Sequence, residues 1–267
     1  MKIAILVCFI LALLTYQLWG EETMDSVKMT IVFDNTSLQQ NCTPEWGFAC
    51  VIELPDETIL FDTGNDGQIL ENNLKALGFE NTVFPKIIIS HMHWDHYGGL
   101  KRMLASNPDA AIYLPSTARD EDIAKFTDSK ENIAFVKKPQ EIAPYVYSLG
   151  EMPARANEHA LAIRTKEGLV VVTGCAHPGI VEIVKKAREQ FPEEKLKLVF
   201  GGFHLGGHSE AQVRDIVNEL KALGVERAAP THCTGEKSIA VFERELGDSF
   251  VRGGVGLRLA FELSDRK

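Results

Sequence analysis

Ser90-His91-Met92-His93-Trp94-Asp95-His96-Tyr97-Gly98-Gly99 sets three imidazoles and one carboxylate within six residues. The run before it, Lys86-Ile87-Ile88-Ile89, is β-branched and reads as a short buried strand. From Gly98 onward the spacing becomes helical, with Leu100, Met103 and Leu104 on one face. The cluster therefore lies where a strand ends and a helix begins. His91 and His93 stand two apart on extended chain, so their rings point the same way. Asp95 and His96 lie where the chain turns into the helix and aim at a neighbouring point. Neutral imidazoles and a carboxylate are the ligands taken by zinc, iron and manganese. Two adjacent groups of such ligands suggest two adjacent ions.

The same rhythm recurs along the chain. Met29–Phe33, Gly47–Glu53 and Thr58–Phe61 read as strands, the last two joined by the Pro55-Asp56-Glu57 turn. This hairpin ends at Asp62-Thr63-Gly64. Gln68 to Leu77 reads as a helix stopped by Gly78. Between Asp109 and Tyr147 short strands alternate with one helix. In the second half, Ala160–Thr165 and Leu169–Thr173 form a hairpin that runs into Gly174-Cys175-Ala176-His177-Pro178-Gly179. A helix over Ile180–Gln190 follows, then a strand over Leu196–Phe200 that ends at Gly201-Gly202-Phe203-His204-Leu205. A helix over Ala211–Leu223 leads to a strand over Val225–Ala229, which ends at Pro230-Thr231-His232-Cys233-Thr234-Gly235. Leu257–Phe261 is the last strand. Three more strand ends thus carry a histidine beside glycine: His177, His204 and His232. Layered α/β folds place their working residues on such loops, and the repetition favours one shared site.

His91-Met92-His93-Trp94-Asp95-His96 resembles the signature of the metallo-β-lactamase superfamily, and the likeness runs from about Lys28 to Glu262. That resemblance implies an α/β fold of the αββα sandwich type, with two facing mixed sheets, helices outside and a metal site at one edge between the sheets. It implies metal binding by His91, His93, Asp95, His96 and His232, and an aspartate at position 62 that orients a bound imidazole from behind. It also sets His159, just before the Ala160 strand, where many members carry a further histidine. His208, at a helix start, reads as a surface residue. The chain departs from the common pattern at one point. Most members carry a bridging aspartate after the strand matching Val170–Thr173, and here the sequence is Gly174-Cys175-Ala176-His177. Cys175 as thiolate and His177 as neutral donor are the two candidates for that place. We expect His177 to be a ligand and Cys175 to be structural or to stand behind the ligands. The glycine–histidine motifs at 174–179, 201–205 and 230–235 resemble the branch named dihydropterin–ribofuranosylaminobenzene phosphate synthase.

Composition limits the alternatives. The 267 residues are 45% hydrophobic and 24% charged, as in an ordinary globular protein. A net charge of −9 with no compensating basic run argues against nucleic acid as a partner. Residues 1–20 open with Met1-Lys2 and an apolar run from Ile3 to Leu14, the pattern of a signal peptide. The expected organisation is therefore an exported protein, with a leader at 1–20 and one catalytic domain over 21–267. Its only membrane contact would be through the N-terminal segment if that stays uncleaved. In an oxidising compartment Cys42 and Cys50 are candidates to pair.

The leading expectation is a hydrolase that uses one or two divalent ions (zinc, with iron or manganese as alternatives) and acts on a small molecule. Metal-bound hydroxide would attack an ester, lactam or phosphoester. Asp95 would orient it, and His204 would donate a proton to the leaving group; metal binding and contact to an anionic substrate group are the other roles open to His204. The alternatives are a transferase joining a pterin to an aminobenzene riboside phosphate, and a binding protein that keeps the fold without the chemistry.

Overall fold

The β-branched runs form strands because most are covered on both faces. The computed structural model describes residues 25–264; the expected signal peptide at 1–20 lies outside them. In the first sheet, β1 (Ser26–Phe33), β2 (Ala49–Glu53) and β3 (Thr58–Phe61) form an antiparallel meander. It continues in parallel through β4 (Lys86–Ile88), β5 (Ala111–Pro115) and β6 (Ile133–Val136). The second sheet runs from β7 (Gln140–Ala143) through β8 (Val146–Ser148) and β9 (Leu161–Thr165) to β10 (Gly168–Thr173), all antiparallel. It ends with β11 (Leu196–Gly202) and β12 (Val225–Thr231), parallel to β10. The last strand, β13 (Arg258–Glu262), returns to the first sheet and pairs with β1. Both sheets are therefore mixed.

The alternation along each strand decides what faces what. Val170 and Val172 of β10 pack with Phe61, Ile88, Leu198 and Phe200 between the two sheets. Leu169 and Val171 of the same strand face the other way, into the helical layer. A strand buried on both faces must be apolar at every position, and every residue of β10 is buried.

Helices cover both outer faces. Over the first sheet lie α1 (Gly67–Ala76), whose N-cap Asp66 accepts from the backbone N–H of Gln68 and Ile69, the single turn α2 (Trp94–Tyr97), and α3 (Leu100–Ser106). Leu70, Leu74, Leu100 and Met103 of α1 and α3 pack on Val32, Leu60 and Ile87. A short α4 (Asp120–Ile123) lies in the 109–147 stretch, as expected. Over the second sheet lie α5 (Ile180–Gln190), α6 (Glu210–Ala222) and α7 (Glu236–Leu246), which contribute Val184, Val217 and Phe242. The result is the αββα sandwich.

Two readings change. Helix α7 over Glu236–Leu246 is not apparent in the sequence, because Glu236, Lys237, Glu243, Arg244 and Glu245 surround the narrow apolar stripe of Ile239, Val241 and Phe242. Cys42 and Cys50 do not pair; both are free thiols. Cys50 lies in the layer between the sheets and Cys42 in the layer under the outer helices.

Candidate metal centre

The loop after β4 carries His91 and His93, and the loop after β10 brings His177 to them. His91 Nε2 stands 3.0 Å from His93 Nδ1, and His177 Nε2 stands 3.2 Å and 3.1 Å from those two atoms. Three ring nitrogens so close fit a common ion at about 2.0–2.1 Å from each. The tautomer of His91 follows from its neighbours. Ser90 Oγ is 2.8 Å from Asp62 Oδ2 and 3.0 Å from His91 Nδ1. The hydroxyl donates to the carboxylate, so His91 Nδ1 carries a proton and donates to Ser90. Its Nε2 is left as a lone pair facing His93 and His177.

Asp95, His96 and His232 form the second group. Asp95 Oδ2 is 3.8 Å from His96 Nε2 and 3.4 Å from His232 Nε2. His96 Nδ1 donates to Asp62 Oδ2 at 2.7 Å. Asn35 donates from Nδ2 to the His232 carbonyl, so its Oδ1 accepts from His232 Nδ1 at 2.9 Å. His232 Nε2 is buried and makes no hydrogen bond. A buried acceptor without a partner costs roughly 1–3 kcal/mol, and a cation beside Asp95 removes that cost. The donor set and this orphaned nitrogen both fit a divalent ion.

Cys175 stands between the groups. Its Sγ lies within 4.8 Å of the ring nitrogens of His91 and His177, and equally of those of His96 and His232. His96 Nε2 is 3.1 Å from the sulfur. The sulfur thus lies among the candidate donor atoms of both groups. Gly174, just before Cys175, packs against Ser90 and Asp62 too closely for a side chain; a Cβ there would meet Ser90 Oγ at 2.1 Å. His177 lies with His91 and His93 in the first group.

Glu158 holds this loop and was not singled out from the sequence. Its buried carboxylate accepts from four successive backbone N–H groups. Oε1 takes those of Gly174, Cys175 and Ala176 at 3.1, 2.9 and 2.9 Å, and Oε2 takes that of His177 at 2.8 Å. Trp46 was also missed. Its indole N–H donates to Asp95 Oδ2 at 2.7 Å, and its ring lies 5.0 Å from that of His232. Backbone strain marks the same place. Among the described residues, the non-glycine residues with positive φ are Asp62, Ala176, His204, His232 and Tyr145. The first four stand on the site loops, where such strain concentrates.

Charge divides the imidazoles. Burial and the neighbouring histidines push His91 well below its ordinary value, and burial lowers His93 and takes His177 to about 3. Burial also opposes charge on His96, but Asp62, Asp95 and Glu158 outweigh it and hold the ring at about 9. Burial alone would raise Asp95, yet His232 and His96 beside it keep the carboxyl far below the usual range. The carboxylates thus hold one proton on His96 when no cation is bound. Loading a cation there must release it.

The remaining histidines separate. His204 is exposed at the rim, its ring 4.4 Å from that of His177. His208 is exposed. His159 does not join the site. It is fully buried, with Nε2 donating to the Ile89 carbonyl at 3.0 Å and Nδ1 accepting from Ser148 Oγ at 2.9 Å. It ties β8 to the end of β4, and burial lowers it to about 4. Two cavities flank the second group, of about 670 and 610 Å³, with Trp46, Gly206 and Cys233 in the walls of both.

The sequence pattern of the metallo-β-lactamase superfamily matches residues 47–232. The chain is 30% identical to a 7,8-dihydropterin-6-methyl-4-(β-D-ribofuranosyl)-aminobenzene-5′-phosphate synthase of Methanocaldococcus jannaschii, over 89% of this chain and 98% of that one. Among solved structures it resembles a metal-dependent hydrolase of the β-lactamase superfamily, with a TM-score of 0.73 and 30% identity over 90% of this chain and all of the other. The metallo-β-lactamase fold protein YhfI of Bacillus subtilis shares the fold at a TM-score of 0.61 and 16% identity, covering 88% of this chain and all of YhfI.

Proposed function

The chain belongs to the metallo-β-lactamase superfamily, and on that premise we propose that it is a metal-dependent hydrolase of a small ester, lactam or phosphoester. The observation that carries this reading is the pair of donor groups, with the unpartnered His232 Nε2 turned toward Asp95. His91, His93 and His177 would hold one ion, and Asp95, His96 and His232 a second, with Cys175 between them. A divalent cation in that setting supplies Lewis acidity and makes water a nucleophile near neutral pH.

The chain's own residues do the rest. Asp62, Ser90 and Asn35 fix which ring nitrogens carry protons, so that lone pairs face the ions. Trp46 holds Asp95 Oδ2 in place, which leaves the carboxylate one orientation toward the reacting water. His204 stands at the rim and can donate to a leaving group. Cys233 beside it, with Glu158 and Asp95 farther off, raises its pKa and keeps it protonated further up the pH scale.

The test is metal-stripped protein assayed on a panel of esters, lactams and phosphodiesters. Activity should be absent, return with zinc, manganese or iron, and be lost in His91→Ala. Turnover that survives chelation would overturn the proposal. The likeness to the M. jannaschii synthase favours a second reading, transfer of a pterin onto an aminobenzene riboside phosphate. Product formation from that pair, with no turnover on the hydrolytic panel, would select it.

A further inference from the structure

Three adjacent parallel strands, β10, β11 and β12, deliver Cys175, His204 and Cys233 to one point. The register aligns their ends: Thr173 lies beside Gly201, and Gly202 beside Thr231. The residues just past those ends converge. The two sulfurs and a ring nitrogen of His204 all lie within 4.8 Å of one another. Both thiols are free and buried, 2% and 8% exposed, while His204 faces solvent. Gly202 is what admits the second sulfur. A Cβ there would stand 2.9 Å from Cys233 Sγ and 2.3 Å from the Gly174 carbonyl. The Cys233 thiol lies against the Cys175 carbonyl at 3.6 Å. His204 reaches the point from a left-handed backbone, φ 52°. An inert pair of buried cysteines needs neither that strain nor an imidazole on its open side.

We propose that Cys175, His204 and Cys233 form a sulfur-rich site for a thiophilic cation of the zinc or cadmium class, sharing the Cys175 sulfur with the two histidine groups. Two thiolates and one imidazole make a donor set that leaves a fourth position open. Here that position faces the cavity of about 610 Å³ lined by Trp46, His204, Gln212 and Cys233. Thiolate donors select zinc and cadmium over manganese and magnesium. Binding releases the Cys175 thiol proton and the proton held between Cys233 and His204 to solvent, and changes no oxidation state. It also occupies the nitrogen lone pair of His204, so the ring cannot carry a proton to a leaving group while the cation is there. Excess zinc or cadmium should therefore inhibit where excess manganese does not.

The test is titration of metal-free protein with cadmium alone, in a phosphine reductant that keeps thiols reduced. Bound equivalents and the ultraviolet thiolate-to-cadmium absorption are both read. Wild type should develop that absorption, and Cys233→Ser should lose one equivalent and about half of the absorption, as two thiolates become one. His204→Ala should keep the absorption but weaken binding at this step at least roughly tenfold. His177→Ala should lose an equivalent while giving up less of the absorption than Cys233→Ser does, because the Cys233 thiolate stays bound. If Cys233→Ser does not fold, Cys233→Ala supplies the same reading. Equal stoichiometry and absorption in wild type and the Cys233 variant would overturn the proposal, as would a wild type with no thiolate absorption at saturating cadmium. No reading depends on turnover, so failure here is distinct from failure of the hydrolase assignment.

Discussion

Asp62 governs two imidazoles at once, His96 directly and His91 through the Ser90 hydroxyl. Such outer partners set the orientation and basicity of a ligand. In metal-free protein the carboxylates raise His96 to about 9, above its ordinary value near 6.5. The stability this supplies is fully present below about pH 6.5 and is lost as pH rises through about 9. Denaturation of chelated protein should therefore show stability falling across that window. Asp62→Asn should flatten the fall, and an unchanged slope would remove Asp62 as the cause. His177 makes a separate point, because it completes the first group from another sheet. His177→Ala should lower bound metal, measured by elemental analysis of desalted protein, as well as turnover. Full metal content in that variant would place the ion elsewhere.

The loop after β10 is set by a carboxylate outside it. Glu158 accepts four consecutive backbone N–H groups, and the loop they belong to carries Cys175 and His177. In Glu158→Gln an amide group replaces one acceptor oxygen and must face N–H donors. At least one donor is then unpaired, at roughly 1–3 kcal/mol. We expect a lower Tm and weaker metal binding together. Wild-type values for both would mean that the loop holds its shape unaided. Helix α6 offers a contrast far from the chemistry. Its capping box joins the Ser209 side chain and the Gln212 backbone N–H, and returns the Gln212 side chain to the Ser209 backbone. Ser209→Ala should cost about 1 kcal/mol in chemical denaturation and leave metal content unchanged.

The donors come from both sheets. His91, His93, Asp95 and His96 follow β4 of the first, and His177 and His232 follow β10 and β12 of the second. A cation bound there joins the two halves of the sandwich. Ligands that bind only the folded chain stabilise it by mass action, about 4 kcal/mol when the free cation is a thousandfold above its Kd. Chelation should therefore lower the calorimetric Tm. His91→Ala should abolish the difference between loaded and stripped protein, whereas a chelator-insensitive wild type would show that the ion does not bridge the sheets.

The sequence by itself determined the strands, most of the helices, and the His91–His96 cluster at a strand end. Apolar periodicity and ligand spacing are local properties, written in neighbouring residues. It also pointed to His177, His204 and His232, since each follows an apolar strand and stands near glycine. Helix α7 escaped because its charged residues nearly encircle a narrow apolar stripe. Glu158, Trp46 and Asn35 escaped for another reason. Nothing in their own neighbourhoods tells a buried acceptor or a site-facing indole from an ordinary polar-loop residue. Their roles come from partners 16 to 197 positions away in the chain. His159 and Cys175 show the same limit from the other side. Hydrogen bonds to Ser148 and Ile89 keep His159 out of the site, and the meeting of the loops after β4, β10 and β12 sets the Cys175 sulfur between the two groups. Sequence spacing reports which side chains share a face. Which of several candidate donors share a point depends on strands that meet through long-range pairing, and that was decided by the tertiary structure.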